Sequence, residues 1–282
     1  MIIVTGATGR LGRAVVERLA ERMPADQLGV SVREPEKAAD LAARGIRVRR
    51  ADFDDPSALA KAFEGATQVL VVSGPADPEP HHVAIDTAKA AGAERVLYTS
   101  HQAANLDSLF IATRGHAATE HYLANSGVPF TALRNGFYAS TPVFLLRTAL
   151  ETGELILPED GPFSWTAHRD LADAAVVALT DPDRLDGITS GLTGPEMLDY
   201  ADVAAIASEL LDRKITRVTV PDEEWEQAAL GRGMPEFLVD LTLGIFRAAR
   251  RGEFAVVDPA LPKVLGRPAT TIREVLAAEL TR

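Results

Sequence analysis

The chain has 282 residues, 46% of them hydrophobic and 24% charged, which excludes a disordered chain, a collagen-like fibre and a coiled coil. Lys and Arg total 29 against 40 Asp and Glu, so the formal net charge is −11 and the surface has no general pull toward nucleic acid or an anionic membrane. Cysteine is absent, which excludes disulfides, thiolate chemistry and cysteine-held metals.

Taken in chain order, short apolar strands alternate with amphipathic helices. Strands are predicted at 2–5, 28–32, 46–49, 68–72, 95–99 and 130–134, and helices at 11–23, 35–44, 56–64, 82–91 and 114–126. Pro35 suits a first helical turn, and Gly45, Gly65, Gly92 and Gly127 sit where helices end. Strand–helix units with mostly apolar strands imply a doubly wound parallel sheet, a Rossmann-like α/β fold. Beyond residue 140 the rhythm loosens. Helices are expected at 143–152, 170–180, 202–211, 222–229, 235–250 and 270–281, and strands at 155–157 and 216–220. The expected division is a dinucleotide-binding part at 1–140 and a smaller α/β substrate lobe at 141–282, partly interleaved with the sheet. The chain starts on a strand with no basic leader, and no apolar run approaches the ~18 residues of a membrane helix. A cytoplasmic protein with no membrane or nucleic-acid partner is expected, and a homodimer stays open.

The run Gly6-Ala7-Thr8-Gly9-Arg10-Leu11-Gly12 follows the first strand and opens the first helix. That context is what a dinucleotide-binding loop requires. Gly6 permits the tight turn, Gly9 lets backbone amides approach a pyrophosphate, and Gly12 lets the helix pack against the sheet. The helix N-terminus adds free N–H groups and the positive end of its dipole. The ribose-reading position, at the end of the second strand, carries Arg33-Glu34. Arg33 favours the 2′-phosphate of NADP over NAD, with Arg10 and Lys37 in support, while Glu34 keeps NAD open. Ser73-Gly74-Pro75 ends the fourth strand at the sheet edge where such ligands bind. The histidines lack metal-ligand spacing, since His81 and His82 are adjacent, and no G-x-S-x-G marks a serine nucleophile. No metal is expected.

The glycine spacing resembles the extended and atypical branches of the short-chain dehydrogenase/reductase superfamily. Tyr98-Thr99-Ser100, Thr119-Glu120, Ser126-Gly127-Val128-Pro129 and Thr131-Ala132-Leu133-Arg134-Asn135-Gly136-Phe137-Tyr138 are similar to the NmrA-like family, above all its NAD(P)H:quinone oxidoreductase members. Trp165, Arg169-Asp170-Leu171-Ala172 and Gly266-Arg267-Pro268-Ala269-Thr270 extend the likeness, which is close over 1–175 and looser beyond. The resemblance implies that Asp52 and Phe53 border the adenine, that Ser73, Gly74, Thr99 and Ser100 lie along the cofactor, and that Asn135 to Tyr138 line the nicotinamide and acceptor.

The superfamily's usual Tyr-x-x-x-Lys pair is missing: four residues after Tyr98, Tyr122, Tyr138 and Tyr200 stand Gln102, Ser126, Pro142 and Ala204. The helix that should carry it has His116 and Glu120 instead. A quinone needs less help, because hydride transfer leaves a conjugated, phenolate-like anion. Proximity and orientation alone can lower such a barrier by ~7–11 kcal/mol. His116, at the missing tyrosine's place, and Tyr138 are the candidate proton donors, with His101 behind them. The expected activity is hydride transfer from NADPH to a quinone or similar flat aromatic acceptor. The alternative is a non-catalytic NAD(P)-binding redox sensor of the NmrA type. An isoflavone-reductase-like activity is disfavoured because no lysine occurs between Lys89 and Lys214.

Overall fold

A computed structural model describes residues 1–74, 76–181 and 183–280. Pro75 and Thr281, expected to close the fourth strand and the last helix, lie outside them. The elements are β1 (Ile2–Thr5), α1 (Arg10–Ala20), β2 (Leu28–Val32), α2 (Ala39–Ala43), β3 (Arg47–Arg50), α3 (Pro56–Ala62), β4 (Gln68–Val71), α4 (Glu79–Ala90), β5 (Arg95–His101), α5 (Ile111–Asn125) and β6 (Phe130–Asn135). There follow α6 (Ser140–Thr152), β7 (Glu154–Pro158), α7 (His168–Thr180), β8 (Gly187–Ile188), α8 (Tyr200–Leu211), β9 (Thr216–Val220), α9 (Asp222–Gly231), α10 (Glu236–Arg250), α11 (Ala260–Leu265) and α12 (Ile272–Leu280).

Seven strands form a parallel sheet in the order β3-β2-β1-β4-β5-β6-β8. This is the Rossmann-like doubly wound sheet the sequence predicts. Strand order reverses between β1 and β4, which opens a crevice at their C-terminal ends. Alternation along each strand splits the core in two. Val4, Val30, Leu70, Leu97 and Leu133 pack beneath α1 and α7, and Ile3, Val69, Val71, Val96 and Tyr98 face the other way, beneath α3 and α4. A third core joins α6, β7, α8 and α10 around Phe137, Phe163, Trp165, Tyr200, Phe246 and Phe254.

Three elements depart from the sequence reading. The expected helix at 35–44 is a 3₁₀ turn over Pro35–Ala38 followed by the short α2. The two-residue β8 and the six-residue α11 carry too little periodicity to be seen in advance.

The motifs around residues 170 and 270 turn out to bind each other. Asp170 on α7 is fully buried and accepts from the Thr270 amide at 2.6 Å and from Arg267 at 2.7 Å. Arg267 also reaches Asp173 at 2.7 Å, and Arg169 donates to the Thr270 hydroxyl at 2.7 Å. This cluster clamps the segment before α12 onto α7, which packs against α1. Asp170→Ala leaves the buried Thr270 amide without its acceptor, while exposed Arg267 keeps Asp173, so it should lower unfolding stability by ~1–3 kcal/mol. Urea denaturation checks this, and a loss below 1 kcal/mol would show that the clamp is dispensable.

Candidate active site

The glycine loop is built from backbone alone. Gly6 has φ +61° and donates to the Ser31 carbonyl at 3.1 Å, tying the loop to β2. Gly9 donates back to Gly6 at 2.9 Å and caps α1 with no side chain, so the first amides of the helix are free. Ala7 and Leu11 are buried in the core, leaving Thr8, Gly9 and Arg10 exposed at the helix start. A Cβ on Gly12 would stand 2.5 Å from the Gly6 carbonyl oxygen, so only glycine lets α1 sit on the loop. Free amides beside an open Gly9 fit a pyrophosphate.

Around this loop lies a cleft of about 590 Å³, walled by Thr8–Arg10, by Ala139 and Ser140, by Ala167–Arg169 and by Thr270, Glu274 and Glu279 of the clamped segment and α12. Arg10 faces Glu279 across it at 3.7 Å. His168 in its wall is held down to about pH 4 by burial and by the nearby Arg10.

Arg33 is the first residue beyond β2 and is exposed. Its guanidinium makes no hydrogen bond or ion pair among the described residues. Glu34 pairs instead with Lys37 at 2.6 Å, which lowers the carboxyl below its usual range. Lys37 is therefore engaged, and Arg33 is left for an anion at this edge, where the exposed Arg50 also ends β3 opposite Val32. Asp52 is exposed; its carboxylate accepts a marginal 3.5 Å bond from the Asp54 amide, and its carbonyl accepts the Asp55 amide at 3.1 Å. Phe53 stands edge-on to His81, with centroids 6.1 Å apart.

At the ends of β4 and β5, Thr99 Oγ1 accepts from the Ser73 amide at 2.8 Å and meets the Ser73 hydroxyl at 2.9 Å. Thr5 holds the Val72 amide in the same way, at 2.8 Å. The Gly74 amide then donates to Nε2 of buried His81 at 3.1 Å. Nδ1 of His81 lies 3.4 Å from the Tyr98 hydroxyl, which lies 2.8 Å from Nδ1 of His116. The His116 ring stacks on His101 at 6.0 Å. Nδ1 of His101 accepts the Ala103 amide at 3.1 Å. Burial pushes His81 down to about 4 and His101 to about 3; burial and the neighbouring histidines push His116 to about 3. At neutral pH all three are uncharged imidazoles. Burial raises the Tyr98 phenol.

Ser100 is not part of this group. Its hydroxyl donates to Glu120 at 2.6 Å, and Glu120 is buried and clasped by Arg134 at 2.9 and 2.7 Å. Neighbouring strand residues face opposite sides, so the side chains of Thr99 and Ser100 point to different faces of the sheet. Phe137 is also turned inward, 7% exposed, among His101, Phe163, Trp165 and Phe254. Tyr138 instead lies beside the cleft, its ring 4.3 Å from His168 and its phenol raised by burial against an opposing hydrogen bond from Asn135. Asn135, opposite His101 in the β5–β6 register, is buried with Oδ1 lacking a partner among the described residues. An unpaired buried acceptor costs ~1–3 kcal/mol, which a ligand donor would recover. His81 is the participant that sequence reasoning passed over. Its adjacency to His82 speaks only against metal binding, and nothing local marks its reach to Tyr98.

Depressed histidine pKa values make stability pH-dependent. Below pH 6.5 the unfolded chain binds a proton at His81 that the folded chain refuses until about pH 4. The protein should therefore lose ~2–3 kcal/mol between pH 6.5 and 4.5 through His81 alone, with His101 and His116 acting in the same direction. Urea midpoints at the two pH values measure this. A His81→Gln variant should show a visibly smaller slope, and an unchanged slope would count against the burial.

A family model described as NAD(P)H-binding matches residues 6–182. Quinone oxidoreductase 2 of Escherichia coli is 34% identical over 279 residues, covering 97% of this chain and 96% of that protein. An NAD(P)H azoreductase of Xenophilus azovorans is 33% identical, covering 99% of this chain and 97% of that one. The crystal structure of an NADPH-dependent quinone oxidoreductase from Escherichia coli in complex with NADPH superposes over 100% of both chains with a TM-score of 0.93 at 32% identity. The glycine loop, the parallel sheet and these full-length likenesses lead to one assignment: the chain belongs to the NAD(P)H-binding family.

Proposed function

We propose that the protein is an NAD(P)H-dependent oxidoreductase that passes a hydride to a quinone or similar flat aromatic acceptor, with NADPH preferred. The observation that carries this reading is the chemistry around His101 and His116. Both are uncharged, no Tyr–Lys pair stands near them, and they share the C-terminal sheet edge with the glycine loop. Such a site holds no ready acid. It suits acceptors whose reduced form is a stabilised anion that takes its proton from water.

In this reading the free amides of α1 hold the pyrophosphate and Arg33 holds the 2′-phosphate. Asp52 and Phe53 border the adenine, and Ser73, Gly74 and Thr99 border the ribose. Asn135 accepts a ligand N–H, and Tyr138 flanks the cleft. When bound, the dihydronicotinamide supplies the hydride. Residues 1–140 provide most of the cofactor site, and the remainder of the chain, threaded through β8, provides most of the acceptor lobe. Steady-state assays with NADPH or NADH and a panel of quinones, azo dyes and aliphatic ketones test this. Quinone turnover should be at least about tenfold more efficient with NADPH, from the ~1.5–3 kcal/mol of one charge-assisted contact. Aliphatic ketones should be inert. Tight NADPH binding without turnover of any flat acceptor would overturn the proposal.

A further inference from the structure

The row from Gly74 to His116 has a polarity that its end fixes. A backbone N–H can only donate, so Nε2 of His81 must carry a lone pair. A neutral His81 then bears its proton on Nδ1 and offers it to the Tyr98 oxygen. The Tyr98 hydroxyl, which also contacts the Thr119 side chain, keeps its own proton to donate, and its contact with Nδ1 of His116 measures 2.8 Å. With that proton directed at His116, His116 carries its own on Nε2. That nitrogen has no hydrogen-bond partner among the described residues. A second contact fixes the same turn of α5. Gly115 lies so close to the Ala76 carbonyl that a Cβ there would overlap it. The chain leaving β4 thus grips His116 through both the hydrogen-bonded row and the backbone beside it.

We propose that His81 and Tyr98 are positioning residues that hold His116 in its Nε2–H tautomer, aimed as a hydrogen-bond donor at the carbonyl oxygen of the acceptor. This rests on the reductase reading and refines it. His116 stabilises the oxyanion without giving up its proton, and the product is protonated by water. The Gly74 segment borders the proposed ribose site, so the same few residues that meet the cofactor also orient the donor.

The test is nitrogen NMR of the full chain labelled with ¹⁵N-histidine, saturated with NADPH at pH 7, together with quinone kinetics. The wild type should show His81 protonated at Nδ1 and His116 at Nε2. Tyr98→Phe keeps the ring packing and removes the oxygen. It should mix the two His116 tautomers and lower kcat by roughly tenfold, less than the ~10²–10³ of deleting an oxyanion-hole donor outright, with the NADPH KM unchanged. A wild-type His116 protonated at Nδ1, or an unaltered His116 spectrum in Tyr98→Phe, overturns the relay. A shifted tautomer with unchanged kcat overturns the donor role. If Tyr98→Phe fails to fold, the wild-type spectrum still decides the tautomer, and His81→Phe carries the kinetic arm. The expected spectrum in a wild type that turns over no acceptor overturns the reductase reading and leaves the tautomer assignment standing.

Discussion

Gly12→Ala should unfold the nucleotide site, whereas Gly9→Ala should empty it without unfolding it. A Cβ on Gly12 would lie 2.5 Å from the Gly6 oxygen, 2.8 Å from the Gly6 carbon and 3.1 Å from the Thr5 oxygen. All three atoms are backbone, so no side chain can swing aside. Helix α1 must lift off β1, and its packing against α7 goes with it. Overpacking of this kind costs ~1–3 kcal/mol in stability, and the loop amides that would hold a pyrophosphate lose their geometry. A Cβ on Gly9 meets only the Gly6 oxygen, at 3.4 Å, which is ordinary contact. Stability should change by less than ~0.5 kcal/mol there. The added methyl instead occupies the open side of the loop, where a phosphate would approach. Urea unfolding and calorimetric NADPH titration on the two variants separate the roles. Equal stability losses in both would mean that Gly9 is structural too.

Arg33→Ala should weaken NADPH binding by ~10–100-fold and leave NADH almost untouched. The guanidinium makes no hydrogen bond or ion pair among the described residues and acts only at longer range on Glu34, so its removal costs the fold no more than ~0.5 kcal/mol. Its whole effect falls on the ligand. A charge-assisted contact to a phosphate is worth ~1.5–3 kcal/mol, which sets the range. The Glu34–Lys37 pair explains why an acidic neighbour does not spoil this preference. Glu34→Gln frees Lys37 and should tighten NADPH modestly, an effect that shrinks as salt is added. Parallel losses for NADPH and NADH in Arg33→Ala would place the 2′-phosphate elsewhere.

The parts of this molecule that could be read in advance are those whose physics is local. β1 and β2 begin and end where their apolar runs do, and the glycine loop is recognisable because a tight turn, an uncapped helix and a close approach all fall within seven residues. Pro35 marks the start of a helix correctly, yet the chain spends its first turn in 3₁₀ geometry. The row through His81, Tyr98 and His116 joins α4, β5 and α5, and no spacing rule predicts which side chains three packed elements will bring together. Ser100 was partly legible. Period-two alternation already turns its side chain away from that of Thr99, toward α5 and Glu120. Phe137 was not, since an aromatic after a strand end can equally line a cleft or, as here, fill a core.

One consequence concerns the order in which the cleft is made. Its inner wall comes from residues 8–10, and its outer wall from Thr270, Glu274 and Glu279, some 260 residues later in the chain. Loop-closure entropy grows only slowly with separation, so the distance costs little in final stability. It matters far more for timing, because contacts between remote segments form late. On the ribosome the first βαβ units can pair while the outer wall is still unmade. The cleft is then a one-sided groove, and the Asp170 clamp has nothing to grip. The C-terminal wall is thus the last part of the cleft to form, and a bound cofactor that touches it would favour those chains whose C-terminal region has already docked.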